Sequence, residues 1–267
     1  MTNPQTKFTA LVLAADRGPD DPVARAAGVA CKCLAPVNGR PMVFRVLQAL
    51  DDSQEVSEKI LCGPPESILE REPELKRLIG AEQVKWFPSR ETPSASAYHV
   101  LQILPEEVPV LLTTGDHAVL NAEIVDYFCR EARAAECDVV IGIARHELVL
   151  QAYPETRRTA TRLQDAAYCG CNLFAFLTPR ARLAAVFWRQ VEAHRKNPLR
   201  VIRVLGWAAV LRYLSGRLSL AEALQRVSAR LGFKAGAVIM PFAGAAVDVD
   251  SIDDWKLVSK ITGAIQA

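Results

Sequence analysis

No apolar run in these 267 residues approaches the ~18 to 20 consecutive hydrophobic positions that a membrane-spanning helix needs. The opening, Met1-Thr-Asn-Pro-Gln-Thr-Lys7, lacks the apolar centre of a signal peptide, so the expected location is the cytoplasm. Cysteine comes in an odd number, seven, which without a secretory leader argues against a disulfide framework. Two pairs, Cys31-Lys-Cys33 and Cys169-Gly-Cys171, lack the two-residue spacer usual in four-thiolate zinc sites. Strand alternation would point both members of each pair to one face, and packing is their expected role. There is no internal repeat, low-complexity tract or linker, so one domain over 1–267 is expected, long enough to bury a full core. Acids are scarce in one place. From Arg180 to Lys234, twelve Lys and Arg stand against Glu192 and Glu222, a local charge of +10 in a chain whose net charge is +2. The remaining residues therefore carry −8. That basic stretch has no recognised nucleic-acid motif, and no nucleic-acid partner is expected.

What is present is an alternation of two periodicities. Strand-like runs fall near 9–13, 59–62, 83–87, 110–113 and 138–144, with helical patterns between them near 41–49, 65–78, 94–104 and 122–135. The order implies an α/β fold with a doubly wound, mostly parallel, Rossmann-like sheet, whose ligands bind at the carboxyl ends of the strands. Beyond residue 144 the pattern changes to strands near 158–163 and 168–177, then helices near 179–195, 199–215 and 220–231. The last helix opens on the capping box Ser219-Leu-Ala-Glu222. A strand near 237–240 and a closing helix complete the chain. The basic stretch at about 179–235 reads as a helical insertion. Its 197–213 segment, apolar and arginine-bearing, suits peripheral contact with a membrane as well as a homodimer interface or an ordinary packed amphipathic helix.

The most informative residues are Phe8-Thr-Ala-Leu-Val-Leu13-Ala14-Ala15-Asp16-Arg17-Gly18, followed by Lys32-Cys-Leu-Ala-Pro-Val-Asn-Gly-Arg-Pro-Met42. A strand emptying into a polar loop beneath a helix N-terminus is where backbone N–H groups gather on phosphate oxygens, and Lys32 adds a point charge for a polyphosphate. The two segments resemble the signature of the sugar-nucleotide and MobA-like nucleotidyltransferases, roughly Leu-Ala-Ala-Gly-x-Gly-x-Arg and then Lys-x-Leu-x-x-Val-x-Gly-x-Pro-Met. The second half matches closely. In the first half Asp16 stands where the family has a glycine, and the loop before Lys32 is longer than the family's.

The resemblance implies a GT-A-like fold and transfer of NMP from an NTP to a phosphorylated acceptor, with release of pyrophosphate. It assigns Leu13, Ala14, Ala15, Asp16, Arg17, Gly18, Arg25, Lys32 and Gly115 to nucleotide binding, with Arg17 or Arg25 in the role of the family's loop arginine. Leu111-Leu-Thr-Thr-Gly115-Asp116 is a buried strand ending in a carboxylate, a place suited to Mg²⁺ (or Mn²⁺), which binds through one or two carboxylates plus substrate phosphates. Val247-Asp248-Val-Asp250-Ser-Ile-Asp-Asp254-Trp is similar to the family's Ile-Asp-x-Asp-Thr-Pro-x-Asp-Leu. Asp250 thereby becomes the second metal ligand, Asp248 its reserve and Asp254 a helix-terminus acid. Ser94 and Ser96 correspond to the loop lining base and ribose, although a serine there also serves as a helix cap. Gly170 and Asn172 match the family's acceptor-facing strand. Arg157 and Arg158 suit an acceptor phosphate or a solvated basic turn. Lys32 and Asp116 are the expected catalytic pair. Two other readings share the fold. A glycosyltransferase using a nucleotide-sugar donor would show Asp-x-Asp after the middle strand, where this chain has Gly115-Asp116-His117. A non-catalytic nucleotide-binding protein would explain the missing glycine at Asp16.

Overall fold

A computed structural model describes residues 6–15, 20–193 and 206–266. The loop residues Asp16, Arg17 and Gly18 and part of the 197–213 segment lie outside the described residues.

The first strand, β1 (Phe8–Leu13), is buried at every position, as a central strand covered on both faces must be. Helix α1 (Pro22–Ala27) follows, capped by the Asp21 carboxylate, which accepts from Val23 N at 2.9 Å and Ala24 N at 3.1 Å. Lys32–Leu34 form a 3₁₀ turn. The short ribbon β2 (Pro36–Val37) and β3 (Arg40–Pro41) turns at Asn38 and Gly39, whose φ values of 50° and 78° suit this Asn-Gly pair. Then come α2 (Met42–Asp51), β4 (Val56–Cys62), α3 (Glu66–Leu69), α4 (Pro73–Gly80) and β5 (Lys85–Phe87). The single helix expected over 65–78 is therefore two, because Pro73 has no N–H to continue the first and instead opens the second.

The second half runs α5 (Pro93–Ile103), β6 (Val110–Thr114), α6 (Ala122–Ala134), β7 (Val139–Arg145), α7 (His146–Ala152), β8 (Thr161–Arg162) and β9 (Ala167–Phe176). It ends with α8 (Arg182–Ala193), α9 (Trp207–Leu214), α10 (Leu220–Leu231), β10 (Ala235–Met240) and α11 (Ile252–Gln266). The sheet order is β10-β7-β9-β6-β1-β4-β5, with β8 paired to β9. All neighbours are parallel except β9, which runs antiparallel to β6, β7 and β8. Strand β8 is shorter than the strand expected over 158–163, because Arg158 folds toward residue 248 instead of joining the ladder.

Each face of the sheet carries a core. Val43, Val46, Leu47 and Leu50 of α2 meet Ile124, Val125 and Phe128 of α6 on one side. Ala97, Val100 and Leu101 of α5 pack with Ala181 and Ala185 on the other. A third cluster, including Val247, Val249 and Val258, seats α11 against Val23, Val37 and Met42. Among the described residues no helix is long and apolar enough to cross a membrane. Trp207, Leu211 and Leu214 of α9 are 64%, 62% and 75% exposed, with Tyr213 at 43%. These side chains stand in solvent rather than on the chain's own sheet.

Candidate active site

The site gathers at the carboxyl edge of the sheet. Strand β6 ends in Thr114, and Gly115 N returns to Leu13 O at 2.9 Å, so the end of β6 lies beside the end of β1. Ala14 in turn donates to Cys62 O of β4 at 2.9 Å. Leu13 and Ala14 are buried and Ala15 is half-buried where the loop departs. Arg25 is exposed on α1.

Two segments distant in sequence converge on Asp116. Val249 N donates to Asp116 O at 3.2 Å, which pins residues 247–250 across the end of β6. Lys32, buried in its 3₁₀ turn, donates to the Asp116 carboxylate and to Val249 O at 2.9 Å, and its Nζ stands 3.5 Å from Asp250. One carboxylate oxygen from each of Asp116, Asp248 and Asp250 lies within 4.8 Å of the others, the one such cluster of metal-ligating side chains among the described residues. The Lys32 turn is braced from behind. Trp255 Nε1 of α11 donates to Pro36 O at 2.8 Å, and Asn38 Nδ2 donates to Thr262 Oγ1 at 2.7 Å.

These acids differ in surroundings. Burial would raise the Asp116 carboxyl, but the adjoining Lys32 ammonium, together with Thr114 and His117, outweighs it and holds the group below its ordinary value. Asp116 Oδ1 is nonetheless buried without a hydrogen-bond partner. A carboxylate oxygen left bare in this way, beside a half-exposed second carboxylate, fits a hard divalent cation that prefers oxygen ligands. Asp250, its side chain 49% exposed, faces the open cleft. Asp248 is enclosed: Arg158 donates to both its carboxylate and its carbonyl oxygen, and Asn172 Nδ2 donates to its other carboxylate oxygen. His117, behind Asp116, is driven down to about 4 by burial and is neutral at physiological pH.

The other expected residues are placed as follows. Thr92, not a serine, caps α5, accepting from Ala95 N at 3.1 Å. Ser94 and Ser96 are buried behind it. The Ser94 hydroxyl meets Thr92 at 3.1 Å and Ser96 Oγ accepts from Arg90 N at 2.8 Å. Glu192 of α8 accepts from Ser94 N at 3.0 Å, a contact that sequence gave no means of finding, since the partners are 98 residues apart. Asp254 takes a helix-terminus position: its carboxylate accepts from Ser251 N at 2.9 Å and its own N donates to Ser251 Oγ at 3.2 Å. This reciprocal pair is a capping box with Asp in place of Glu. Arg157 is exposed on the loop before β8, whereas Arg158 is turned inward. Gly170 is exposed on β9. Arg157 and Arg158 line a cavity of about 510 Å³ together with Thr156, Ser251, Lys256 and Asp250, so the cavity opens beside the carboxylate cluster. Cys31 Sγ and Cys33 Sγ stand 3.4 Å apart in the core, on either side of Lys32 in the sequence.

Comparison with known proteins matches this architecture. A "Hpothetical Transferase Structure from Thermus thermophilus" is 32% identical over 93% of this chain and 99% of that one, with a TM-score of 0.76. Two further structures share the fold at lower identity. The 4-diphosphocytidyl-2C-methyl-D-erythritol synthase from Anaerococcus prevotii is 14% identical, covering 96% of each chain at a TM-score of 0.56. A CMP:2-keto-3-deoxy-manno-octonic acid synthetase, solved with CTP, is 13% identical over 97% of this chain and all of its own, at 0.55. Comparison with curated proteins finds no match. The family model described as the MobA-like NTP transferase domain matches residues 10–230, a span running from β1 through Lys32 and Asp116 to α10, and on that match the chain belongs to the MobA-like NTP transferases and is a nucleotidyltransferase.

Proposed function

We propose that this enzyme joins the α-phosphorus of an NTP to the phosphate of a small hydroxylated acceptor and releases pyrophosphate. An acceptor phosphate oxygen attacks the α-phosphorus, a new P–O–P linkage forms, and the α–β anhydride bond breaks with its electrons leaving on pyrophosphate. The observation that carries the reading is the convergence of Lys32, Asp116 and Asp250 at the carboxyl edge of β6, with one oxygen of Asp116 bare. Asp116 and Asp250 would hold Mg²⁺ or Mn²⁺, which when bound neutralises charge on the phosphates. Lys32 stands where its ammonium can follow charge developing on the leaving phosphates, in surroundings dry enough to strengthen that attraction. The loop after Leu13, with Ala14 and Ala15 at its root, is the proposed phosphate cradle, and the first turn of α5 around Ser94 and Ser96 is the proposed nucleoside wall.

The acceptor half is assigned to the cavity beside Asp250. Arg157 and Lys256 offer cationic donors there for a phosphate, while the hydroxyls of Thr156 and Ser251 and the carboxylates of Glu155 and Asp253 on the same wall suit the hydroxyls of a polyol or sugar. Thr156 Oγ1 is buried and unpartnered among them. The decisive experiment incubates the enzyme and Mg²⁺ with each of the four NTPs and a panel of phosphorylated sugars, alditols and lipid-headgroup precursors. CTP comes first, because one structure of like fold was solved with it. Acceptor-dependent pyrophosphate release supports the proposal. Turnover of a nucleotide-sugar without pyrophosphate would establish the glycosyltransferase reading, and nucleotide binding without turnover the non-catalytic one.

A second feature bears on partners. Trp207, Leu211 and Leu214 recur on one side of α9, opposite the buried Ala209. The +10 of the surrounding stretch would repel its own copy across a symmetric interface, whereas an anionic lipid surface complements it. We assign this face to peripheral contact with anionic membrane. Flotation with phosphatidylserine vesicles at low salt, lost in Trp207→Ser and Leu211→Ser, supports it. A dimer by light scattering that those variants dissolve would overturn it.

A further inference from the structure

The antiparallel strand β9 carries an irregularity that no sheet requirement explains. Opposite β7, Ile141 pairs with Phe174 and Ile143 with Gly170, so residues 171–173 face Gly142 alone. Within that bulge Asn172 has φ of 48°, a left-handed conformation uncommon for a residue with a side chain. The bulge fits because position 142 is glycine: a Cβ there would lie 3.1 Å from Leu173 Cβ and 3.4 Å from Cys171 Cβ. Strained backbone of this kind persists where its surroundings determine it, and it concentrates at functional sites.

The bulge aims the Asn172 amide at Asp248. Asn172 Nδ2 donates to one carboxylate oxygen, while Arg158 donates to the other and to the Asp248 carbonyl. Both Arg158 and Asp248 are 13% exposed in their side chains. Arg158 also stands 3.8 Å from Asp254, the acid that caps α11. Asp248 thus has both carboxylate oxygens engaged by the protein. Asp250, two residues on, is half exposed and lines the cavity beside the cluster instead.

We infer that Asn172, Asp248 and Arg158 form a clamp that positions Asp250 toward Asp116, and that Asp248 is a positioning residue, not a metal ligand. The inference rests on the reading of Asp116 and Asp250 as the cation-binding pair. The clamp fixes the backbone at residue 248 from two sides: Arg158 holds its carbonyl and carboxylate, and the neighbouring Val249 N is tied to Asp116 O. The outer partners of a metal-binding carboxylate commonly control affinity 10- to 100-fold by about this kind of orientation.

The test titrates Mn²⁺ alone, and Mn²⁺ with each NTP, into full-length protein and reads free Mn²⁺ by electron paramagnetic resonance. Asn172→Gly is the informative variant. Glycine keeps the left-handed bulge and removes only the amide, so the variant is expected to fold and melt as the parent does. Its Mn²⁺ affinity is expected to fall about tenfold. Arg158→Lys, which keeps the charge and loses the two-point grip, is expected to fall as far. Asp250→Asn should abolish Mn²⁺ binding in either background, leaving the free-Mn²⁺ signal undiminished. Variants that bind Mn²⁺ as tightly as the parent, with Asp250→Asn still inactive in binding, would overturn the clamp alone. A parent that binds no Mn²⁺ with any NTP would overturn the cation site and the clamp together.

Discussion

Replacing Lys32 by methionine separates the electrostatics of this site from its shape. The side chain keeps its length and loses its charge. In the parent its Nζ serves the Asp116 carboxylate and the Val249 carbonyl, in a pair whose side chains are 9% and 13% exposed. Removing one partner of such an enclosed pair costs about 3–5 kcal/mol, because the other charge is left buried without compensation. The half-exposed Asp250 adds little to that sum. For a chain of this size each kcal/mol moves the melting temperature by roughly 2–4 °C, so a loss of about 6–20 °C near neutral pH is expected. The pH dependence gives a second check. In the parent, Lys32 is the chief group opposing burial, and the Asp116 carboxyl lies below its ordinary value. Its contribution is present above the unfolded value of about 4 and is lost as pH falls through the folded one. Without Lys32, burial is left as the largest influence, and the carboxyl is expected to rise above that unfolded value. The variant's stability is then retained in acid and lost as pH rises, so the gap between the two proteins is widest near neutral pH and narrows toward about pH 4. Differential scanning fluorimetry of both proteins from about pH 4 to pH 8 reads this directly. A variant melting within about 2 °C of the parent near neutral pH, or a gap that does not change with pH, would refute the pairing.

Asp250→Asn should leave stability within about 0.5 kcal/mol, since its side chain is half exposed, yet lower pyrophosphate release at least ~100-fold; unchanged turnover would remove Asp250 from the cation site. His117, held at about 4 by burial, takes up its proton more readily when unfolded, so stability present above about pH 6.5 is lost as pH falls toward 4. His117→Gln should flatten that part of a urea-denaturation pH profile, and an unaltered profile would show that another group titrates there. Thr92→Ala removes the α5 cap and should cost about 1 kcal/mol. It should also weaken NTP binding measured by fluorescence, if the loop it closes contacts the nucleoside.

Much of the architecture is carried by local pattern. The buried run at Phe8–Leu13, the Asn38-Gly39 turn and the Ser219 capping box each follow from residue type and spacing. The helix over Leu220–Leu231 appears with the bounds its cap and Gly232 dictate. The strand ends near Ala14 and Asp116 were legible for the same reason, since a hydrophobic run emptying into a polar turn marks the edge of a parallel sheet. The basic bias between Arg180 and Lys234 needed only counting.

Pairing across long separations was not available to such reasoning. Lys32 reads in sequence as a phosphate ligand, and only the folded chain brings it onto Asp116 and Val249 O, 84 and 217 residues away. Arg157 and Arg158 are adjacent and chemically identical. One stays exposed while the other turns inward, because Asp248 is reached by the close of the chain 90 residues on. Asn172 looks like any amide in an apolar strand until the ladder with β7 slips past Gly142 and turns it toward the same acid. Sequence set the inventory of charges, caps and periodicities, which act over a few residues. Which acids are clamped and which face the cleft was decided by tertiary contact, because burial and counter-charge exist only after distant segments meet.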